Sequence, residues 1–539
     1  MKGRRTKLSG MSWYILLAAV VASGLLLSYL LYSGPNLWYD DSTYIYLANQ
    51  LLQGNPAVFG SRFGFGFLKL FPLAASFGAF GYGAIQAILP SIVEFVLLVL
   101  LTFLIGKKIG GSRLGLLAAF FASTAPFVVA NVSRVLPDIP TGLTVAVAAY
   151  LFIDSLGTRH TVVLPFLAGL SSVLPIYMND EGFAVMFFIW LFIISLFLFP
   201  RIRKLLGHGD GRARPKTENS ISSRYVLLAL AGAALGTVAY ALPFYIFFKQ
   251  PLFFLLRYDI NYSLTNPLLV ALLLSLPSCI GNSCLSSDIY SLGPLVVLAV
   301  LGSAAVLNSN PNRKSSFVIF LNWSVFLFLI FGTTHLSLPY LPIPVVSRFF
   351  TVVLPLLSVL SAIALWRLYD YLKTRHLRTL APIALLAALI LVIAAYLPMY
   401  GVLRSNNEAI LNTTQTAYRI GAFFINESSA GPVDVYAHAY DGFNFLAPEV
   451  VMFATGFDSN ISVYQAANAS MAGPSYGVLN CSLQPGRRSF LAVMYGSDAE
   501  SAREQVAAEV GSWLGSTCTS TFVKQIDQTY IYSLSNATQ

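Results

Sequence analysis

Long apolar runs alternate with short polar clusters through the first 400 residues, at about 11–32, 84–105, 114–130, 139–156, 162–178, 182–200, 225–248, 292–307, 317–335, 349–366 and 380–398. Each approaches the roughly 20 residues that an α-helix needs to cross a hydrocarbon core. The pattern therefore predicts about 11 transmembrane helices. Two connections are too long for simple turns, about 33–83 and about 249–291. The first carries a short helical pattern that stops at Gly54-Asn55-Pro56, then the aromatic-rich run Phe59-Gly-Ser-Arg-Phe-Gly-Phe-Gly-Phe-Leu-Lys-Leu-Phe. Such segments lie in the membrane interface rather than across it. The second holds Pro251–Asp259 and an apolar run at about 267–277 that is short for a span; were it to cross, everything after it would invert.

Past residue 400 the pattern changes. Val433–Ala437, Ile461–Tyr464, Phe490–Tyr495 and Thr529–Tyr532 have the length and composition of strands, and Asp498–Leu514 reads as an amphipathic helix with an acidic first turn. The expected organisation is a membrane domain over 1–399 and a small soluble α/β domain over 400–539.

Composition removes the soluble alternatives. Of 539 residues 56% are hydrophobic and only 10% charged, with a mean hydropathy of +0.69, which is a polytopic α-helical membrane protein. The net charge of +10 suggests nucleic acid, but the basic residues sit in clusters between apolar runs, a topology signal and not a nucleic-acid footprint. Met1-Lys-Gly-Arg-Arg-Thr-Lys precedes an apolar run too long for a signal-peptide core and without a small-x-small cleavage site, so it reads as a retained signal-anchor with a cytoplasmic N-terminus. The clusters Lys107-Lys108-Arg113, Arg201/Arg203/Lys204 with Arg212/Arg214/Lys216/Arg224, Arg313-Lys314 and Arg367/Lys373/Arg375/Arg378 then all fall inside. An odd number of crossings puts the tail outside. It holds six N-x-Ser/Thr sequons, at Asn412, Asn426, Asn460, Asn468, Asn480 and Asn536, which suits an extracytoplasmic surface. Cys481 with Cys518 and Cys279 with Cys284 lie on the same side, where disulfides form, although the closely spaced second pair can equally stay reduced.

The ionisable residues at the outer ends of these spans are the candidate chemistry: Asp40 and Asp41, Arg62 and Lys69, Arg134 with Asp138, Asp180 with Glu181, Arg257 with Asp259, His335 and Arg348. Asp40-Asp41 precedes Ser42-Thr43, so either acid can cap the helix that runs to Gln53. Successive helical residues point about 100° apart, so one acid can cap while the other faces a cavity. A carboxylate beside another near a low-dielectric surface suits a general base for a hydroxyl. Arg134-Val-Leu-Pro-Asp138 reads either as a solvated turn broken by Pro137 and Pro140 or as a second acid delivered to the same cavity, with Arg134 as its partner or as an anion contact. Asp180 and Glu181 suit caps of the next span. Arg348 either snorkels to head groups or uses its fixed fork of donors on a phosphate. Glu94, roughly 10 residues into its span and so about 15 Å deep, is costly there unless paired or hydrated. His335 is a lone histidine at a span end. No metal-ligand spacing, phosphate-binding glycine loop or Ser-His-Asp arrangement can be read, and Phe63-Gly-Phe-Gly-Phe lacks the preceding strand and third glycine of a dinucleotide fingerprint.

Three stretches, taken together, resemble the GT-C glycosyltransferases, and within them the dolichyl-phosphate-mannose–protein mannosyltransferase and aminoarabinose-transferase type. Asp40-Asp41-Ser-Thr-Tyr44-Ile-Tyr-Leu-Ala48, closing at Gly54, resembles the first-outer-loop motif; Arg134-Val-Leu-Pro-Asp138-Ile-Pro resembles the second acidic site; Arg348-Phe-Phe-Thr-Val-Val-Leu-Pro355 resembles the late Arg-aromatic span. The first pair is commonly Asp-Glu in that family and is Asp-Asp here, and many relatives carry a Lys near the position of Asp180-Glu181. There is no Trp-Trp-Asp motif in the tail, against an oligosaccharyltransferase. The resemblance implies inverting transfer of one sugar from a polyprenyl-phosphate donor to a hydroxyl acceptor on protein or glycan, at the outer face. Asp40 or Asp41 would be the base and Asp138 would orient a substrate. Arg348, with Arg134 or Arg257, would hold the lipid phosphate, and Tyr44, Asp180, Glu181 and His335 would be secondary. It implies no cofactor, and a divalent metal has no support in the sequence. A rival class is a transporter or flippase of a lipid-linked or anionic solute, which predicts inverted repeats and midplane polar groups; no internal repeat is seen. A third is a non-catalytic assembly or sensor protein, which would tolerate loss of both Asp40 and Asp41.

Overall fold

The computed structural model describes residues 10–32, 34–35, 40–55, 66–156, 162–179, 181–205, 222–248, 292–309, 311–331, 347–375, 377, 379–439, 448–465, 483–484, 486–494, 504, 506–508, 510, 518–527 and 529–536. Apolar runs become helices: α1 (Gly10–Leu30), α2 (Asp40–Leu52), α3 (Phe67–Phe80), α4 (Ala84–Gly110), α5 (Ser112–Thr124), α6 (Pro126–Val129), α7 (Asp138–Ser155), α8 (Val163–Ser171), α9 (Glu181–Leu205), α10 (Ser223–Phe248), α11 (Gly293–Leu307), α12 (Arg313–Phe331), α13 (Leu354–Thr374) and α14 (Leu380–Ser428). Short 3-10 turns at Leu174–Tyr177 and Ser347–Val352 complete the bundle.

Over the described residues each predicted span falls largely on helix, but the expected count of about 11 crossings does not follow from the helices themselves. Among the described residues five are long and apolar enough to cross a membrane, Ser12–Leu30, Ala84–Gly110, Glu181–Leu198, Ser223–Ile246 and Leu380–Ser405. The predicted span at 114–130 breaks at Ala125 before Pro126, and that at 162–178 tightens into a 3-10 turn. The reason is burial. Helix α5 is wrapped by α1, α4 and α13, so its length and outer polarity answer to protein neighbours rather than to lipid. Outward-facing Ile383, Leu386, Ile390 and Leu391 of α14 are largely exposed, as a lipid-facing helix requires, and the protein is membrane-embedded.

Helix α14 is 49 residues long and passes unbroken through residue 400, where the boundary between the two domains was expected. Its first half is apolar; its second half is a strut. Asn407 donates its amide to the Leu31 carbonyl, Thr414 bonds the Pro35 carbonyl at 3.1 Å, and Arg419 meets Asp527 at 3.0 Å. Beyond it come β1 (Val433–Ala439), α15 (Pro448–Ala454), β2 (Ile461–Gln465), β3 (Arg488–Met494), β4 (Cys518–Ile526) and β5 (Thr529–Asn536). They form one sheet of order β2-β1-β3-β5-β4, parallel at β2-β1-β3 and antiparallel at β3-β5-β4. Alternation sorts its faces. Val433, Val435, Phe490, Ala492 and Ile531 pack with Ile420 and Phe424 of α14, while Leu491, Val493, Tyr530, Tyr532 and Leu534 pack with Val506 and Val510. Those two valines belong to the helix expected at Asp498–Leu514, of which 504, 506–508 and 510 are described as helical. Strand β4 was not expected: it is an edge strand whose middle residues are exposed or half-buried, and an edge needs no apolar alternation.

The sheet domain is seated on α14 by a close approach. A Cβ at Gly421 would stand 2.3 Å from the Ala454 carbonyl oxygen at the end of α15. Gly421→Val is expected to cost about 1–3 kcal/mol through this overlap, read as a lower thermal midpoint and faster proteolysis between β1 and β2; unchanged values would count against the contact.

Candidate functional site

Helix α2 is organised by its apolar stripe. Asp41, Tyr44, Ile45 and Ala48 are all buried, at the i, i+3, i+4, i+7 spacing of one helical face. Tyr44, Ile45 and Ala48 join Leu70, Leu73 and Phe77 of α3, Ala87 and Ile88 of α4, Val135, Ala417 of α14, and Phe453 and Ala454 of α15 in a single cluster. The acidic helix thus lies where bundle and sheet domain meet. Its end is a Schellman stop: Gly54 takes φ +71°, the Gly54 N–H bonds the Leu51 carbonyl at 3.0 Å and the Asn55 N–H the Gln50 carbonyl at 3.0 Å.

The two acids have separate fates. Asp41 is on the stripe and wholly buried, and Arg134 comes to it: Nη2 stands 2.7 Å and Nε 3.0 Å from Oδ2. The Val135 N–H donates to Oδ1. Two of these donors occupy Oδ2 and one Oδ1, so both oxygens of the Asp41 carboxylate are engaged within the protein. Asp40, rotated about 100° away, is half-buried beside the stripe. Arg134, expected as a partner of Asp138 or an anion contact, therefore spends two of its donors on Asp41.

Asp138 begins α7 and is 2% exposed, a position where the helix dipole favours an acid. It follows the Arg134–Val135 clamp by three residues from Val135, so both acidic stretches meet at one end of the bundle. The 3-10 turn carrying Arg348 reaches the same end, because Gly142, one turn into α7, packs on Thr351, and a Cβ there would lie 2.6 Å from the Thr351 carbonyl oxygen. Glu181 opens α9, half-buried, and this start of α9 packs on Pro175 through Gly182. Tyr44 is 6% exposed and serves the apolar cluster. Asp180, Arg257 and His335, the run at 267–277, and Cys279, Cys284 and Cys481 lie outside the described residues; Cys518 is buried at the start of β4.

The phenols nearby are not anionic bases. Burial pushes Tyr82 up, and it pushes Tyr418 up too, with the neighbouring Tyr32 hydroxyl adding to the effect. Tyr82 bonds the Asn49 side chain of α2 and packs on Phe77 and Phe457 with ring centroids 5.1 and 4.7 Å apart, an aromatic seam from α3 to the sheet domain. Among the described residues no three His, Cys, Asp or Glu side chains are placed to hold a metal ion.

Sequence reasoning missed a second pair below the first. Lys69 of α3, assigned to the outer loop, meets Glu94 of α4 at 3.2 Å, both buried. The signal was present: one acid within an apolar span and one lysine within an apolar helix each need a partner. Lys107, Lys108 and Arg113 gather instead at the far end of α4, where Lys108 meets Asp154 at 2.5 Å and Arg113 stacks over Trp366.

No protein-family model and no curated protein matches the chain. Solved structures do. Apo ArnT from Cupriavidus metallidurans matches with TM-score 0.59 and 11% identity over 98% of this chain and 98% of that one. The same protein bound to undecaprenyl phosphate matches with TM-score 0.59 and 11% identity over 97% and 98%. The Archaeoglobus fulgidus oligosaccharyltransferase AglB, in complex with an inhibitory peptide and a dolichol-phosphate, matches with TM-score 0.49 and 14% identity over 84% of this chain and 65% of that one.

Proposed function

From the premise that the chain has the GT-C fold, we propose that it is a membrane glycosyltransferase that moves one sugar from a polyprenyl-phosphate donor to an acceptor hydroxyl, with inversion. The observation that carries this reading is the division of labour in α2, at the junction of bundle and sheet domain. One acid of the pair is consumed by Arg134 and a backbone N–H, and the other stands beside it on the next face.

Asp40 is the general base. It takes the acceptor hydroxyl proton as the oxygen attacks the anomeric carbon, and the bond from that carbon to the phosphate oxygen breaks with its electron pair on the lipid phosphate. The phosphate leaves as an anion, so no acid is needed to protonate it. Asp138, buried at the head of α7, orients a substrate. Arg348, on the turn that packs against α7 through Thr351, neutralises the departing phosphate, since a guanidinium stabilises charge where it develops. The basic clusters at the opposite end of α4 support an orientation with the site on the extracytoplasmic face.

The protein reconstituted into liposomes is expected to consume radiolabelled dolichyl-phosphate mannose or undecaprenyl-phosphate aminoarabinose, the donors of the two resembled types, and to release the polyprenyl phosphate. Donor left intact but moved across the bilayer would replace this reading with a flippase.

A further inference from the structure

A single serine joins the two buried ion pairs. Lys69 Nζ, held 3.2 Å from Glu94 Oε2, also donates to Ser91 Oγ at 3.1 Å. Ser91 Oγ donates its proton to the main-chain carbonyl of Arg134 at 2.8 Å, and the Arg134 side chain clamps Asp41. A hydroxyl has one proton to give and lone pairs to accept with, so Ser91 is used in the one sense that lets both bonds exist. Ser91 and Glu94 are three residues apart on α4, hence on one face towards α3. The result is a continuous line from Glu94 through Lys69, Ser91 and Arg134 to Asp41. It crosses α4, α3, the turn before α7, and α2, with two negative and two positive groups.

Burying four charged groups is costly, and apolar side chains of the same size hold helices together at least as well. A charged line ending on the residue next to the base has a use that packing alone does not have. We propose that Ser91, Lys69 and Glu94 are positioning residues for sugar transfer. By holding the Arg134 carbonyl they set the place of its guanidinium and of the adjoining Val135 N–H, and so fix Asp41, the α2 backbone and the neighbouring Asp40. The same turn leads directly into Asp138. This inference rests on the glycosyltransferase reading and extends it to side chains that touch neither donor nor acceptor.

Two variants of the full chain test it in liposomes, with whichever of the two donors the wild type turns over. Ser91→Ala removes the link and leaves both ion pairs. Lys69→Met with Glu94→Leu replaces the lower pair by apolar side chains, which keeps the fold available. Each is expected to lower kcat about ten-fold with donor KM within about two-fold of wild type, because an ångström-scale misplacement at a reacting group is expensive. Ser91→Thr, which keeps the hydroxyl, should recover most of the rate. Unchanged kcat in either variant, with only the thermal midpoint moved, overturns the proposal in favour of plain packing. A raised donor KM at unchanged kcat overturns it in favour of Lys69 touching the donor. A wild type that transfers neither sugar defeats the functional reading and this inference together, whereas an active wild type matched by Ser91→Ala defeats this inference alone.

Discussion

Asp40→Asn lowers kcat for sugar transfer by about 10²–10⁴-fold, the range that a positioned general base supplies, and leaves the thermal midpoint near that of the wild type. The amide keeps the size of the carboxylate and can still serve the first turn of α2, but it cannot take a proton. Asp40 is half-buried and off the apolar stripe, and the amide fills the same space. Donor KM is expected to move little, because the base acts on the acceptor. The comparison with Asp41→Asn is what makes the result informative. That change weakens a carboxylate which accepts three N–H donors in a fully buried site, so it should lower stability before it lowers kcat. Initial rates at saturating donor, together with thermal unfolding in detergent, separate the two. If Asp41→Asn abolishes transfer at unchanged stability while Asp40→Asn is active, the roles are reversed.

The second large effect is on stability. Arg134→Met leaves Asp41 buried and facing only a backbone N–H, and removing one partner of a buried pair costs about 3–5 kcal/mol. The Arg134 side chain is itself only 14% exposed, so solvent screens the pair little. The double variant Asp41→Asn with Arg134→Met is expected to recover a good part of the loss, since no uncompensated charge remains. Thermal midpoints of the four proteins make a double-mutant cycle. Strict additivity of the two single losses would mean that the 2.7 Å contact contributes nothing.

Some of the site was legible beforehand. The α2 pattern announces that Asp41 shares a face with Tyr44, Ile45 and Ala48, because a helical stripe is written at spacings of three and four; that Asp41 would be the buried acid could have been read from this alone. The stop at Gly54 follows from a local rule, and the structure places it there. The span count did not follow in the same way. Hydropathy reports apolar length, but α5 is a short helix sheltered by neighbours, and a sheltered helix need not match the thickness of a bilayer. Strand β4 was invisible for the converse reason: at a sheet edge, partner hydrogen bonds define the strand and side-chain alternation does not.

By itself, the order of residues determined that this is a membrane-embedded helical bundle with a sheet domain after it, and narrowed the candidate chemistry to a few ionisable side chains. Hydropathy, capping and strand alternation are properties of windows of about 20 residues or fewer, so they survive without any knowledge of neighbours. Only the tertiary structure decided which charges meet. Asp41 finds Arg134 across 93 positions of sequence and Lys69 finds Glu94 across 25. Buried charges must be paired wherever helix packing brings opposite signs together, and that choice of partner is made in three dimensions. It is what separates Asp40 from Asp41, two identical residues side by side in the chain.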